Sequence, residues 1–243
     1  MTEPRIFIGT LYCGEGDYVE CFNALASQKS VSVKHVVIEN QPEKEAHNQL
    51  WAAWREVQHS GFDMFVKVDA DTVLAHDEVL LELWKLMSSN PRITGIQATL
   101  LDYFTDGNIN GLNCFSPKVT FRDTTSDLFC DRQVDVDHDI VLKAVDVNKI
   151  TTRLRPSGFH CFRTTEKQAF HFGLHRALKG QHDVLDRVKN AFEIHGDRMR
   201  GVALLGADSA PVFRDGCFNY NDERFQQMFE TVLKRYEDRI TTL

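Results

Sequence analysis

The chain has 243 residues, of which 42% are hydrophobic and 26% are charged, so it can bury a full-sized core and wholesale disorder is excluded. Its formal net charge of −7 argues against a surface for nucleic acid or for an anionic membrane, because both need clustered Lys and Arg. Small phosphorylated ligands are not excluded, since a local site can hold them.

The first residues of the chain and its cysteines bear on the cellular compartment of the protein. The first residues lack an apolar segment followed by a small-residue cleavage site, and no run reaches the roughly 18 apolar residues of a membrane span. We therefore expect neither a secretory signal nor a transmembrane segment. The six cysteines are scattered without a Cys-x-x-Cys pair, and no Asn-x-Ser/Thr sequon occurs. Free thiols of this kind are typical of a reducing compartment, which predicts a cytoplasmic protein.

Four β-rich runs begin near residues 5, 33, 63 and 95, with a helical pattern after each of the first three. The first helix starts at Asp17, which with Glu20 resembles a capping box. The second spans about Glu43 to His59, and the third ends before Pro91. This alternation at about thirty residues is the length of a βαβ unit, whose crossovers produce parallel strands. The sequence thus predicts an α/β fold with a mostly parallel sheet covered by helices on both faces.

The second half of the chain follows a different pattern. Residues 102–133 are polar and carry Asp-Gly and Asn-Gly turn signals, which predicts a long functional loop beside the sheet. Regular structure is expected again at 134–142. Thr165 and Gln168 resemble the start of a capped helix, and apolar residues at helical spacing between 225 and 236 predict a last helix packed on the core. The C-terminal third is therefore predicted to be helical.

The most informative motif is Asp69-Ala70-Asp71, at the end of the third apolar run. In open α/β sheets, ligands bind at the carboxyl ends of the strands. Two carboxylates at this place suit a hard cation such as Mg²⁺ or Mn²⁺. One of the acids is alternatively a helix cap. A calcium loop is excluded, because its positions 6 and 12 would be Leu74 and Leu80 instead of Gly and Glu.

A strand-helix-strand-helix-strand unit that ends in apolar-Asp-x-Asp resembles the nucleotide-sugar-binding half of GT-A glycosyltransferases, most closely those of family 2. The resemblance covers roughly residues 5–180. It implies a GT-A-like, Rossmann-type catalytic domain over 1–180, with a helical C-terminal extension over 181–243 packed on the same core. It also implies a metal-dependent, hexosyltransferase-like enzyme that uses a nucleoside-diphosphate sugar, with a UDP-sugar as the favoured donor. The transfer is expected to invert the configuration at the sugar carbon. The resemblance does not identify the acceptor or the oligomeric state, and a homo-oligomer is one of the possibilities.

The resemblance assigns nucleotide-binding residues one by one. Thr10, Tyr12 and Glu15, at the end of the first strand, are similar to the segment that holds the nucleoside in that family. Glu39, at the end of the second strand, stands where the family usually has an Asp that reads the base or ribose. Asn48 lies where the family often has an Arg-Asn pair near the nucleotide; here it follows a His.

The resemblance also assigns a metal site. Asp69 is expected to face the ribose or the metal, with Ala70 beside the donor, and Asp71 is expected to hold Mn²⁺ or Mg²⁺ on the diphosphate. The cation would act as a Lewis acid on the leaving nucleoside diphosphate. Many GT-A enzymes supply a late His to the metal, and His160 within residues 157–161 is similar to that element.

The general base is the third implied element. An inverting transfer needs a carboxylate that takes the acceptor's proton. The acidic cluster between Asp135 and Asp139 is the comparable segment, with Asp137 as first choice and Asp139 as second, although the usual Glu-Asp pair is absent. The same cluster also fits a solvated strand edge. Half of a calcium loop fits less well, because Ile140 replaces the required Gly.

Two further patterns leave alternatives open. His171 and His175 lie one helical turn apart, which is a spacing that can share zinc. Phe172 replaces the Glu of a zinc-protease motif, and this favours a polar face near a phosphate instead. Asp69 and Asp71 also match the signature of haloacid-dehalogenase-type phosphatases, as nucleophile and general acid. That family carries its motif after the first strand, whereas two βα units precede it here. A nucleotidyltransferase and a non-catalytic nucleotide-binding module are the remaining alternatives.

Overall fold

A computed structural model of the chain describes residues 3–131, 139–145, 156–213 and 222–241. Within these ranges the strands are β1 (Arg5–Tyr12), β2 (Ser32–Glu39), β3 (Met64–Lys67), β4 (Thr72–Leu74), β5 (Ile93–Asp102), β6 (Gly107–Phe115), β7 (Ile140–Val145) and β8 (Gly158–His160). The helices are α1 (Tyr18–Ala26), α2 (Glu43–Val57), α3 (Val79–Ser88), α4 (Glu166–Leu178), α5 (His182–His195), α6 (Arg198–Asp208) and α7 (Glu223–Thr241).

The described strands form one mixed, mostly parallel sheet in the order β2-β1-β3-β6-β5-β8-β4. β7 pairs with the first half of β5, and β8 pairs with its end, both in parallel. β1 is parallel to β2 and to β3, whereas β6 is antiparallel to both of its neighbours and β4 is antiparallel to β8. The predicted α/β class with a mostly parallel, helix-flanked sheet is therefore confirmed.

The predicted long loop over 102–133 is wrong in its first half. Gly107–Phe115 forms β6, which lies between β3 and β5. The Asp-Gly turn signal marks the hairpin that joins β5 to β6, and Asp106 there has a φ of +49°. Leu112 and Cys114 point into the core in alternation with more exposed neighbours. The polar character of this segment comes from the outer face of a strand that is buried on one side only.

The two faces of the sheet are covered by different helices. Alternation along β1 places Ile6 and Ile8 on one face, in a core with α1 and α3. Phe7 lies on the other face, where it packs against Trp54 of α2 and Phe65 of β3. Helices thus cover both faces of the sheet around β1 and β3.

A second core lies among the four C-terminal helices, and it confirms the predicted helical C-terminal third. Phe170 and Phe172 of α4 are buried in it, together with residues of α5, α6 and α7. α4 and α6 pack closely, because Gly173 and Gly206 leave no side chain between the two backbones. α4 therefore shares its core with the helices that follow it, while the division of the chain at residue 180 stays a prediction.

The helix boundaries test the capping predictions. Thr165 caps α4, because its side-chain oxygen accepts a hydrogen bond from the backbone N–H of Gln168. The capping box at Asp17 is wrong: the Asp17 carboxylate makes no cap bond to α1 and accepts the backbone N–H of Arg163 instead. Among the helices of the described ranges, none combines the length and the apolar character needed to cross a bilayer.

Candidate functional site

A cavity of about 230 Å³ opens at the carboxyl ends of the parallel strands. Its walls come from the loop after β1, the start of α2, the end of β3, the end of β8 and one face of α4. Asp69, Ala70 and Asp71 line it, as do Glu15 and His160. The structure therefore brings together five of the residues that the sequence singled out.

Asp71 is held in place by the elements around it. Its backbone carbonyl accepts the N–H of Cys161, and its Oδ2 accepts Nε2 of Gln168 and Sγ of Cys161, both at 3.2 Å. Its Oδ1 is buried and has no hydrogen-bond partner among the described residues. This oxygen lies 3.5 Å from Nε2 of His160. An unpaired buried carboxylate oxygen is costly, and a ligand that satisfies it is expected.

His160 is fixed from behind by Asp102, a residue that the sequence did not single out. β5 and β8 are in parallel register with Asp102 beside His160, and Asp102 Oδ1 lies 2.7 Å from Nδ1. The other oxygen of Asp102 accepts the N–H and the hydroxyl of Thr105. Burial lowers the pKa of His160, but Asp71 and Asp102 outweigh it and raise that pKa to about 9. Without a metal, a proton balances the two carboxylates.

The donor set fits a divalent cation. The ligand atoms of Asp71, His160 and Cys161 all lie within 4.8 Å of one another, and Oδ1 of Asp71 is free to bind. A histidine whose other nitrogen is held by a carboxylate is the usual arrangement of a metal-binding imidazole. A carboxylate with an imidazole suits Mn²⁺ better than Mg²⁺, which prefers oxygen ligands alone.

Asp69 has a different environment from Asp71. Its carboxylate pairs with Nζ of Lys67, which is itself buried at the end of β3. Burial raises the pKa of Asp69, yet Lys67 outweighs this and holds it below the usual value. Asp69 thus stays ionised at the cavity wall, although a cation would have to compete with Lys67 for it.

Glu15 reaches the cavity from the loop after β1. Its Oε2 accepts the backbone N–H of Cys13 at 2.7 Å. Burial raises the pKa of Glu15 to about 7, and the nearby carboxylates of Asp71 and Asp69 add to the shift. A carboxyl group with this pKa exchanges its proton near neutral pH, in a cavity where such a group is chemically useful.

The structure does not bring the remaining nucleotide candidates to the cavity wall. Thr10 is buried within β1, with its hydroxyl 3.0 Å from Nε2 of His35. Tyr12 stacks on Tyr18 with ring centroids 3.9 Å apart, next to exposed Glu39 across the β1–β2 pair.

Asn48 has a structural contact instead. Its side chain bonds both backbone groups of Thr124, with the Thr124 N–H at 2.7 Å from Oδ1. This pair of bonds fixes the segment after β6 against α2. The amide of Asn48 is therefore engaged in the fold, and the residue does not line the cavity.

The two candidates for the general base, Asp137 and Asp139, have different outcomes. Asp137 lies outside the described residues. Asp139 precedes β7 and forms a two-pronged ion pair with Arg92, at 2.8 and 3.0 Å. Because β7 runs parallel to β5 with Ile140 beside Ile93, Asp139 lies at the amino end of β5, whereas the cavity opens at the carboxyl ends of the strands. The structure thus does not place Asp139 at the site.

Several residues at the cavity wall or behind it carried no usable functional signal in the sequence. Lys67 reads as part of a strand, and Asp102 and Gln168 come from segments far apart in the chain. Their roles depend on strand register and on the packing of α4 over the sheet, which sequence spacing does not report. A polar or charged residue at each strand end was the only available hint. The cavity wall also includes Glu43, Asp131, Lys179 and the histidine-rich face of α4.

No family model matches the sequence, and no curated protein matches it. The structure is similar to the mannosyltransferase PcManGT from Pyrobaculum calidifontis in complex with GDP-Man and Mn²⁺, with a TM-score of 0.44 and 10% identity over 95% of this chain and 84% of that one. It is also similar to a glycosyltransferase involved in the glycosylation of the major capsid of PBCV-1, with a TM-score of 0.30 and 15% identity over 46% of this chain and 60% of that one. Likenesses at these TM-scores decide neither the reaction nor the substrate.

Proposed function

We propose that the chain is a metal-dependent glycosyltransferase that binds a nucleoside-diphosphate sugar in the 230 Å³ cavity. The observation that carries the proposal is the buried, unpartnered Oδ1 of Asp71, which faces Nε2 of a histidine held by Asp102. This arrangement stands at the carboxyl end of the sheet, where α/β proteins bind nucleotides.

Asp71 and His160 would hold the cation, with Mn²⁺ preferred. When bound, the cation supplies Lewis-acid stabilisation of the charge on the leaving diphosphate. When a cation displaces the proton from Nε2 of His160, Asp102 would keep the remaining proton on Nδ1, so that Nε2 offers its lone pair toward the cavity. Gln168 orients the Asp71 carboxylate by donating to Oδ2. Asp69 and Ala70 complete the wall on which the donor would lie.

Lysine and arginine side chains support the anionic half of the donor. Lys67, Arg176 and Lys179 all line the cavity. Their positive charge favours a diphosphate at a site that also contains several carboxylates, in a protein whose net charge is negative. We propose a UDP-sugar as the first donor to test, with a hexose transferred.

An inverting transfer needs a base, and Asp137 remains our proposal for it. Asp131, six positions earlier, lines the cavity, which supports an acidic segment on the acceptor side. A reducing compartment such as the cytoplasm is part of the proposal, because the five cysteines in the described ranges are free thiols.

Calorimetric titration with UDP, GDP and CDP, with and without Mn²⁺, tests the proposal. We expect one nucleotide to bind only when Mn²⁺ is present, and binding to disappear in Asp71→Ala. Asp106→Ala is the matched control, since Asp106 is exposed and pairs with His195 away from the cavity. Unchanged metal-dependent binding in Asp71→Ala would contradict the site. Failure of every nucleotide to bind would favour the phosphatase alternative, in which an aspartyl-phosphate mimic is trapped at Asp69.

A further inference from the structure

A second group of metal-ligand side chains lies where α2, α4 and the segment after β6 meet. Glu43 and His47 lie one turn apart on α2, Cys130 belongs to the segment after β6, and His175 lies on α4. The ligand atoms of Glu43, His47 and Cys130 all lie within 4.8 Å of one another. Oε2 of Glu43 is 3.6 Å from Nε2 of His175. Three donors thus lie together, and a fourth, His175 on α4, contacts the carboxylate of Glu43.

Both histidines present an unused nitrogen. Nδ1 of His47 lies 2.8 Å from the backbone carbonyl of Glu43, so Nδ1 must donate and the lone pair is on Nε2. His175 hydrogen-bonds the backbone of Leu128. Nε2 of each ring is buried with no hydrogen-bond partner among the described residues, and His47 is 3% exposed. A backbone carbonyl that fixes one nitrogen while the other stays free is the arrangement of a metal-binding histidine.

The two unpartnered ring nitrogens favour a cation as the missing partner, and the charge states of the four side chains agree with one. Burial, helped by Lys67, lowers the pKa of His47 to about 4, and burial lowers the pKa of His175 well below its usual value. Both rings are therefore neutral and able to ligate at pH 7. Burial raises the pKa of the Cys130 thiol to about 12 and that of Glu43 to about 7. Buried acids of this kind ionise when a divalent cation coordinates them.

We propose that Glu43, His47, Cys130 and His175 form a zinc site that joins α2 to α4. One sulfur, two imidazoles and one carboxylate are a tetrahedral zinc set. Zinc bonds of about 2.0–2.3 Å place neighbouring ligands roughly 3.3–3.8 Å apart. The ligand atoms of Glu43, His47 and Cys130 therefore close by up to about 1 Å on binding, and His175 must approach His47 and Cys130 as well. The Glu43–His175 contact already has that spacing.

Zinc binding replaces protons on the ligands by Zn²⁺ and involves no redox step. The sulfur of Cys130 gives its electron pair to zinc, and its proton, now donated to the backbone carbonyl of Ser126 at 3.1 Å, leaves to solvent. Glu43 gives up its proton in the same way where it holds one. One thiolate, one carboxylate and one Zn²⁺ then sum to zero charge, which suits a buried site.

This zinc site is separate from the one at Asp71. The two sets share no residue, since the first uses Asp71, His160 and Cys161. The second set has two imidazoles where the first has one, and its two nitrogens together with a sulfur prefer zinc to Mn²⁺. Zinc here would fix the wall of the cavity and need not touch the donor.

Zinc stoichiometry of the full-length chain tests the proposal. The protein is stripped with EDTA and titrated with Zn²⁺ against a chromogenic chelator. We expect one tight zinc per chain, with affinity reduced about 100-fold or more in Cys130→Ser and His47→Gln, since even an outer-shell partner contributes 10–100-fold. Cys114→Ser, which also removes a buried thiol, is the matched control and should keep its zinc.

Cobalt substitution distinguishes the two sites. It also tests the proposal if Cys130→Ser fails to fold, because the spectra are recorded on proteins that keep Cys130. Co²⁺ at the proposed site should show tetrahedral bands and a thiolate charge-transfer band in wild type, in Asp71→Ala and in Cys161→Ser. This test is independent of the calorimetric nucleotide titration, because zinc and cobalt binding are measured without nucleotide. The proposal is overturned if wild type keeps no zinc against the chelator, if Cys130→Ser and His47→Gln bind zinc normally, or if zinc and the thiolate band vanish in Asp71→Ala.

Discussion

At the scale of single residues, the site is organised around a histidine between two carboxylates. In the metal-free protein the proton on His160 balances Asp71 and Asp102, whose charges raise its pKa to about 9 despite the opposing effect of burial. A cation that binds between Asp71 and Nε2 replaces that positive charge. The same electrostatic requirement thus explains both the protonated state and the preference for a metal.

Asp102→Asn isolates the positioning role of Asp102. The Asn oxygen can still accept the two bonds from Thr105, so the turn is kept, but an NH₂ group then faces Nδ1 of His160. We expect Mn²⁺ affinity to fall by about 10–100-fold with little change in the fold. Mn²⁺ titration followed by electron paramagnetic resonance measures this. Asp106→Asn, which alters a surface Asp–His195 contact, should leave the affinity unchanged.

Glu15 links the site to the pH dependence of stability. Its pKa is about 7 in the folded protein against 4.5 in the unfolded chain, so the folded state binds the proton more tightly. Stability from this group is therefore complete below pH 4.5 and is lost as the pH rises through 7.

In Glu15→Gln that loss disappears. We expect the variant to be more stable than wild type at pH 8 by about 2–3 kcal/mol, with the difference vanishing near pH 4. Urea unfolding in EDTA across this range measures the free energy of unfolding. The exposed Glu45→Gln is the control, and parallel pH profiles of wild type and Glu15→Gln would contradict the prediction.

At the scale of elements, the sequence predicted what depends on local periodicity. The βα rhythm placed Asp69 and Asp71 at a strand end, and Thr165 was recognised as a cap because its bond is made within one turn. Asp102 and His160 are 58 positions apart, and their contact depends on the register of β5 and β8, which no local pattern reports.

β6 was missed for a related reason. Its outer face is polar and its flanking turn residues are typical of loops. The alternation of apolar and polar residues along the strand was therefore too weak to indicate a strand. Asp17 shows the opposite error. A local capping pattern was present, but the carboxylate was already used by the N–H of Arg163 from a distant segment. At Asp17, therefore, a tertiary contact overrode the local preference.

The contact between α4 and α6 depends on glycine. A Cβ at Gly173 would lie 1.7 Å from the carbonyl oxygen of Ala203, so the two helices would have to separate. Gly→Ala inside a helix normally stabilises by up to about 1 kcal/mol, yet here we expect a loss of about 2–3 kcal/mol from overpacking. Urea unfolding measures it. Gly201→Ala is the graded control, since its Cβ meets side chains and no backbone: the ring of Phe192 at 3.2 Å and the hydroxyl of Tyr236 at 3.6 Å. Equal effects would contradict this account.

At the scale of the whole molecule, the cavity lies between two cores. Asp71 and Asp102 come from the sheet, while Gln168 comes from the helical layer. The buried guanidinium of Arg200 connects the two parts: it donates to the backbone carbonyls of Tyr103 and Phe104, directly after β5, and to Asp197. It therefore holds the strand end that carries Asp102.

Arg200→Met tests whether that connection supports the site. Two carbonyls lose their donor and Asp197 loses its ion pair, so we expect a loss of about 3 kcal/mol in the free energy of unfolding. Mn²⁺ affinity should fall as well, because Tyr103 follows Asp102 directly. Arg198→Met, two residues earlier, removes only the exposed pairs with Glu166 and Glu237 and should cost less than about 1 kcal/mol.

Denaturant unfolding and Mn²⁺ titration of the two variants decide between two views of the molecule. If Arg200→Met loses stability and metal affinity together while Arg198→Met loses neither, the helical layer positions the metal ligands through the end of β5. If Arg200→Met is destabilised but binds Mn²⁺ normally, the sheet alone is sufficient to hold Asp71, Asp102 and His160. The helical layer would then contribute to the cavity mainly through the side chains of α4 that line it.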